Sequence, residues 1–219
     1  MTKKFWTRLG LGLGFLIIAG TIICYYFPHI WGDILYPLDY EAYIVKYSKE
    51  YDLEPTFVSA VIYSESGFDK DSISRMGARG LMQIMPATGR IISKKLNEDN
   101  FTVDKLLDPE TNIRYGCWYL RYLWDNYNDQ NAVLAAYNGG GRIGDRYVVA
   151  REAGIPKETA NFIKTVNFAQ SMYQKLYADR LDINISEENI ASKMRIQERK
   201  EETWLERLLT AIKKSFQRE

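Results

Sequence analysis

A single histidine, His29, and two cysteines, Cys24 and Cys117, are all that 219 residues supply of those types. A Ser-His-Asp or Cys-His mechanism needs an imidazole in the site. His29 lies just beyond an apolar run, away from the polar motifs, which argues against both mechanisms. Cys24 falls inside that run and Cys117 in the globular part, so a membrane would separate them and no intramolecular disulfide is expected. No Cys/His spacing suits structural zinc. Nor is there a cofactor fingerprint. Gly139-Gly140-Gly141 has neither Walker nor dinucleotide spacing around it, and reads as a turn. Excess charge is lacking too: 29 basic and 28 acidic residues leave a net +1. That removes the bulk electrostatic case for nucleic acid. Internal repeats and low-complexity linkers are absent.

One long apolar run is present. Leu9 to Phe27 carries no charge, and a membrane-spanning helix needs about 20 such residues. Lys3, Lys4 and Arg8 precede it, which predicts a cytoplasmic N-terminus. Trp6 on one side and Tyr25, Tyr26 and Trp31 on the other fit an aromatic belt. A cleaved signal peptide is the rival, but Cys24-Tyr25-Tyr26-Phe27 is too bulky for its cleavage site. The expected order is a cytoplasmic segment 1–8, a transmembrane anchor 9–27, a juxtamembrane connector 28–38, a globular domain 39–180 and a tail 181–219. This places a single-pass chain in the plasma membrane with its domain outside the cytoplasm.

The globular part reads as all-α. Asp39 is a candidate cap for a helix from Tyr40 to about Tyr51, with Ile44, Val45 and Tyr47 inward. Pro55, Pro86 and Pro109 each stand where a first helical residue is favoured. The helix from Pro109 runs to Tyr127, with Ile113, Cys117, Leu120 and Trp124 on one face, so Cys117 reads as a small buried residue. Asn97 to Asp108 is mostly connection, docked by Leu106 and Leu107. Gln130 to Tyr137 is a short apolar helix closed by Asn138 and the glycines. Lys157 to about Tyr177 is the last helix of the domain.

The stretch Val58 to Thr88 carries the chemistry. Phe57, Val58, Val61 and Ile62 form one apolar helical face. Glu65, four residues after Val61, continues it, and Gly67 stops the helix. A carboxyl there is desolvated and sits at the negative end of the helix dipole; both effects raise its pKa, as a general acid requires. By itself Glu65 also reads as a surface acid beside a helix end. Ser72, Ser74, Arg75 and Gln83 supply hydrogen-bonding groups, Gly77 and Gly80 allow close approach of a ligand, and Met82 and Met85 offer adaptable apolar surface. Together they look like one wall of a cleft for a polar ligand.

Glu65-Ser66, then Ser74-x-x-Gly77-Ala78-x-Gly80-Leu81-Met82-Gln83-x-Met85-Pro86-x-Thr88, resembles the soluble-lytic-transglycosylase (SLT, family 1) catalytic domain. Tyr119-Leu120, Ala135-Ala136-Tyr137-Asn138-Gly139 and Glu158-Thr159 follow in the same order. The match covers roughly Asp39 to Tyr177, with small departures in the glycine run after Asn138 and at Phe162. The resemblance implies a lysozyme-like fold and a peptidoglycan lytic transglycosylase. Such an enzyme cleaves the β-1,4 bond from N-acetylmuramic acid to N-acetylglucosamine and leaves a 1,6-anhydromuramoyl end. It implies Glu65 as the single acid/base, and Ser74, Gln83, Met85, Tyr119, Tyr137, Asn138 and Glu158 as groups that position sugars, with no cofactor. Tyr119 by itself reads equally as a core aromatic, and Glu158 as an acid favoured by its helix dipole.

Two other readings stay open: a muramidase that hydrolyses the same bond on this fold, and a peptidoglycan-binding scaffold of an envelope complex. The tail adds a separate expectation. Trp204, Leu205, Leu208, Leu209, Ile212 and Phe216 form a helical stripe. It would pack on the domain, on an envelope partner, on a second copy of the chain or on the membrane surface.

Overall fold

The computed structural model describes residues 12, 14–21, 32, 35–182 and 190–196. The chain separates into two units, Met1–Pro37 and Leu38–Glu219. In the first, residues 14–21 are helical. Phe15, Leu16, Ile17 and Ile18 are 59% to 71% exposed. Four successive residues go once round a helix, so this stretch is apolar on every side. The Thr21 hydroxyl turns back to the carbonyls of Ile18 and Ile17 at 2.8 and 3.0 Å. Among the described residues no helix is long and apolar enough to cross a membrane. Much of the run Leu9–Phe27 lies outside those residues.

The second unit is built of helices. In chain order they are α1 (Glu41–Glu50), α2 (Pro55–Ser66), α3 (Pro86–Lys95), a 3-10 helix (Val103–Leu107), α4 (Pro109–Tyr127), α5 (Gln130–Gly139), α6 (Gly141–Ala150), a second 3-10 helix (Arg151–Gly154) and α7 (Lys157–Tyr177). The only β pairing among the described residues is two isolated bridges, Ile73 with Arg79 and Arg79 with Ile84. The three expected prolines do open α2, α3 and α4. Side chains cap two helices: Asp108 accepts from the Thr111 N–H and Asp129 from the Ala132 N–H, both at 2.9 Å. Such caps satisfy donors that a helix start leaves unpaired.

The core sits where α2 crosses α7 and where α4 meets α1 and α5. α7 buries Ile163, Val166, Ala169, Gln170, Tyr173 and Tyr177, a three-and-four spacing that makes one face. Tyr173 meets Tyr63 of α2 and Phe68 just after it, at 6.3 and 6.2 Å between ring centroids. Ile113, Cys117 and Leu120 are fully buried on α4, as expected, while Trp124 is half-buried.

Three expectations need correction. Asp39 does not cap α1. Tyr40 takes that position in a left-handed conformation (φ 56) without a side-chain cap bond, which leaves Asp39 one residue outside the helix. Asn97–Asp108 is not simple connection, because Val103–Leu107 forms a 3-10 helix; Leu106 is buried and Leu107 only half-buried. The glycine run is not just a turn. Only Gly140 breaks the chain (φ 83), and Gly141 opens α6. Glycine's poor helix propensity hid that helix in the sequence. Part of the 181–219 region rests on the domain: Leu181 and Ile190 are buried, and Glu41 pairs with both Arg180 and Lys193. The stripe Trp204 to Phe216 lies outside the described residues.

α6 lies tightly on its neighbours. A Cβ on Gly144 would sit 2.7 Å from the Ala136 Cβ and from the Tyr127 ring. In an open helix, alanine would beat glycine by about 1 kcal/mol. Overpacking costs about 1–3 kcal/mol and wins here, since Ala136 is buried and cannot yield. Gly144→Ala should therefore lower stability by about 1 kcal/mol net, read as a lower urea midpoint at constant m-value.

Candidate active site

α2 delivers Glu65 in its last turn and ends at Gly67, whose φ of 60 is the left-handed cap glycine allows. The segment that follows is irregular but tightly bonded. Phe68 and Gln83 also have positive φ, 69 and 47, as do Gly77 and Gly80 at 85 and 74. Non-glycine residues hold such angles only where the surroundings impose them. For Gln83 they do: its Nε2 donates to the carbonyls of Gly80 and Ser72 at 2.9 and 3.1 Å. Ser74 Oγ accepts from the Ala78 N–H at 3.0 Å. Ser66 ties the end of α2 to the same segment through a 2.8 Å bond to the Leu81 carbonyl.

The main fastening comes from α4. Asn112 is buried and makes three bonds. Its Oδ1 accepts from the Met82 N–H at 2.7 Å, and its Nδ2 donates to the carbonyls of Arg79 and Leu106 at 2.9 and 2.6 Å. Gly80 passes so close that a Cβ would lie 2.2 Å from the Leu106 oxygen and 2.4 Å from Asn112 Nδ2. Gly116 is likewise pressed by Met82, whose Sδ would be 2.1 Å from an added Cβ. Sequence reading did not single out Asn112. The signal was there: a helix-interior Asn beside apolar Ile113 needs a partner for its amide.

Glu65 is half-buried. Burial alone pushes its carboxyl from 4.5 up to about 8. Tyr137 of α5 lies within electrostatic range of Glu65. Its hydroxyl donates to the Met82 carbonyl at 2.7 Å, and its ring is 5.5 Å from that of Tyr119. Burial, then the Glu65 charge, raises the Tyr137 phenol far above 10; burial also raises Tyr119. Both phenols thus stay protonated and neutral. Cys117 is fully buried and its thiol is pushed up by burial, so it takes no part in nucleophilic chemistry.

The fold brings Glu65, Gln83, Tyr119 and Tyr137 around the Met82 loop. Met85 is the N-cap residue of α3, with 39% of its surface exposed. Asn138 accepts from the buried Thr159 hydroxyl at 2.9 Å, which joins α5 to the first turn of α7, where Glu158 is exposed. The sequence pair Glu158-Thr159 therefore has a structural half, Thr159. A cavity of about 360 Å³ lined by Lys46, Lys49, Glu50, Ile190, Ala191 and Met194 does not include Glu65. Of its charged lining groups, Lys46 is already paired with Glu110 at 2.8 Å.

Residues 42–158 match the family described as the Transglycosylase SLT domain. The chain belongs to this family. The soluble lytic murein transglycosylase of Escherichia coli K12 is 32% identical over 66% of this chain and 24% of its own length. A membrane-bound lytic murein transglycosylase C from Pectobacterium atrosepticum is 34% identical over 43% of this chain and 29% of its own. An X-ray structure of the lytic transglycosylase Slt from Pseudomonas aeruginosa, an inactive Glu-to-Gln mutant, superposes with a TM-score of 0.58 at 30% identity. It covers 68% of this chain and 26% of that one. The helical unit thus has the lysozyme-like SLT fold, and the chain spans about a quarter of the length of the soluble relative.

Loss of the Asn112 amide would strand a buried N–H and two carbonyls, each worth about 1–3 kcal/mol when left unpaired. Asn112→Ala should cost about 3 kcal/mol in urea unfolding and should free the Met82 N–H for rapid hydrogen exchange.

Proposed function

We propose that this SLT-family chain is a membrane-anchored peptidoglycan lytic transglycosylase in which Glu65 acts twice. The observation that carries the reading is the carboxyl of Glu65, raised to about 8 by burial and set beside Tyr137. A carboxyl with that pKa holds its proton at neutral pH. It would give the proton to the oxygen between C1 of N-acetylmuramic acid and C4 of N-acetylglucosamine. The C1–O bond breaks and the glucosamine leaves with a free 4-hydroxyl. The carboxylate so formed would take the proton from the muramoyl C6 hydroxyl while its oxygen bonds to C1. The acid is restored, a 1,6-anhydro end remains, and no water is consumed.

A single carboxyl suffices for this sequence, whereas ordinary glycoside hydrolysis uses two. The inactive Glu-to-Gln mutant of the Pseudomonas aeruginosa neighbour supports dependence on one glutamate. Tyr119 would donate to a sugar oxygen, and Tyr137, whose one O–H goes to the Met82 carbonyl, would accept from a sugar hydroxyl. Met85 would pack on a sugar face, and Gln83, with its NH₂ held by the loop, would offer Oε1. Ser74, Asn138 and Glu158 would bind further polar groups of the strand. Turnover by Glu65→Gln on purified sacculi should fall by at least ~10²–10⁴-fold, the usual share of acid-base assistance. Mass spectrometry of products from the unsubstituted chain should show anhydro ends; products heavier by one water would make it a muramidase.

The same substitution has a signed effect on stability. A carboxyl raised in the folded state binds more protons folded than unfolded between about pH 4.5 and 8. Stability then falls as pH rises through that window. Glu65→Gln removes the slope. It should be the more stable form above pH 8, by on the order of 2 kcal/mol once the solvent-facing edge is discounted. Thermal unfolding of both forms at pH 5 and 8.5 measures this.

Membrane anchoring by 9–27, with the domain on the outer side, is part of the proposal. Its support is the uncharged run, the all-round apolar surface of residues 15–18, which suits lipid, and the membrane-bound relatives. A reporter fused after Glu219 should be active only outside the cytoplasm. Recovery of a soluble form beginning near Pro28 would show a cleaved signal instead.

A further inference from the structure

The aromatic contact that begins at Tyr137 does not stop at Tyr119. The Tyr119 ring lies 6.3 Å from that of Tyr122, at an interplanar angle of 12°. Tyr122 in turn lies 5.6 Å from Trp118, at 3°. Trp118 and Tyr122 are four residues apart and share a face of α4. Rings recruited for a core are buried. These are not: Tyr122 is 51% exposed and Trp118 is half-buried. Beside them the Tyr127 hydroxyl shares its one proton between the Gly141 carbonyl and Asp145 Oδ1, at 2.9 and 3.0 Å. This bond fixes α6, with exposed Arg142, Asp145 and Arg146, next to the end of α4.

We propose that Trp118 and Tyr122 extend the site into a stacking platform for glycan residues remote from the bond that is cut. The inference rests on reading Glu65 as the acid/base of a glycan-cleaving cleft. A sugar ring offers flat C–H faces to an aromatic π surface and turns its hydroxyls outward, toward groups such as those on α6. Near-parallel rings with one open side suit that amphipathic ligand, and they are continuous with the acid through Tyr119 and Tyr137. Three successive ring contacts, at 5.5, 6.3 and 5.6 Å, carry the aromatic cluster from Tyr137 out to Trp118, so it offers more ring surface than one sugar covers. The platform would therefore select long strands over short ones.

The test is the ratio of two affinities in full-length protein carrying Glu65→Gln, which suppresses turnover. Tri- and hexa-N-acetylglucosamine are titrated by calorimetry. The hexamer should bind about tenfold more tightly than the trimer, the order expected of one or two stacking contacts. Adding Tyr122→Ala or Trp118→Ala should bring the ratio near one, and Tyr122→Phe, which keeps the ring, should preserve it. Circular dichroism checks that each variant folds; both positions are solvent-facing, and either one suffices. Two bound oligomers whose ratio ignores both alanine changes would overturn the platform and leave the cleft intact. Failure of either oligomer to bind any form would overturn the cleft reading and the platform with it.

Discussion

Three hydrogen bonds from one buried amide hold the active segment to its scaffold. Asn112 clamps Met82, Arg79 and Leu106, and everything downstream of Glu65 hangs on that clamp. The Met82 carbonyl is the acceptor that fixes the Tyr137 hydroxyl. Gly80 and Gly116 exist to let the loop come this close. Gln83 spends its NH₂ on the same loop and so tolerates a left-handed backbone. Functional residues on irregular backbone need such over-determination, because the chain would otherwise relax to commoner angles.

The clamp also sets the electrostatics. It fixes the Met82 carbonyl that seats the Tyr137 hydroxyl, and burial lifts Glu65 nearby to about 8. No opposite charge is needed. A basic partner would lower the pKa and discharge the acid. Neutral phenols avoid that, since burial keeps Tyr119 and Tyr137 protonated. The result is one acid in a setting of aromatic rings and amides.

Away from the site, ionic contacts serve placement rather than strength. Arg180 and Lys193 both reach Glu41, which joins the start of α1, the end of α7 and residues 190–196. Arg180 is well exposed, so the pairing is worth little by itself. The buried Leu181 and Ile190 supply the firmer contact. The domain thus extends past the last residue of the family match at 158, through α7 and into the region first read as tail.

Local signals determined most of the helix plan. Pro55, Pro109 and Pro86 mark starts because proline lacks the N–H that a first turn cannot use; Gly67 marks an end because glycine tolerates a left-handed angle. Glu65 was legible for the same reason: three- and four-residue spacing carries it onto the apolar face of α2. Asp39, Gly141 and Leu107 depart from the local pattern where backbone angle or docking, not residue type, decides the element. Sequence spacing could not say that Asn112 holds Met82 from 30 residues away, that Tyr137 turns to the same loop, or that the rings of Trp118 and Tyr122 stay open to solvent. Helix periodicity reports which side chains share a face of one element. Which of those faces meet, and how closely, depends on packing between elements distant in the chain, and that is where the acid acquired its environment.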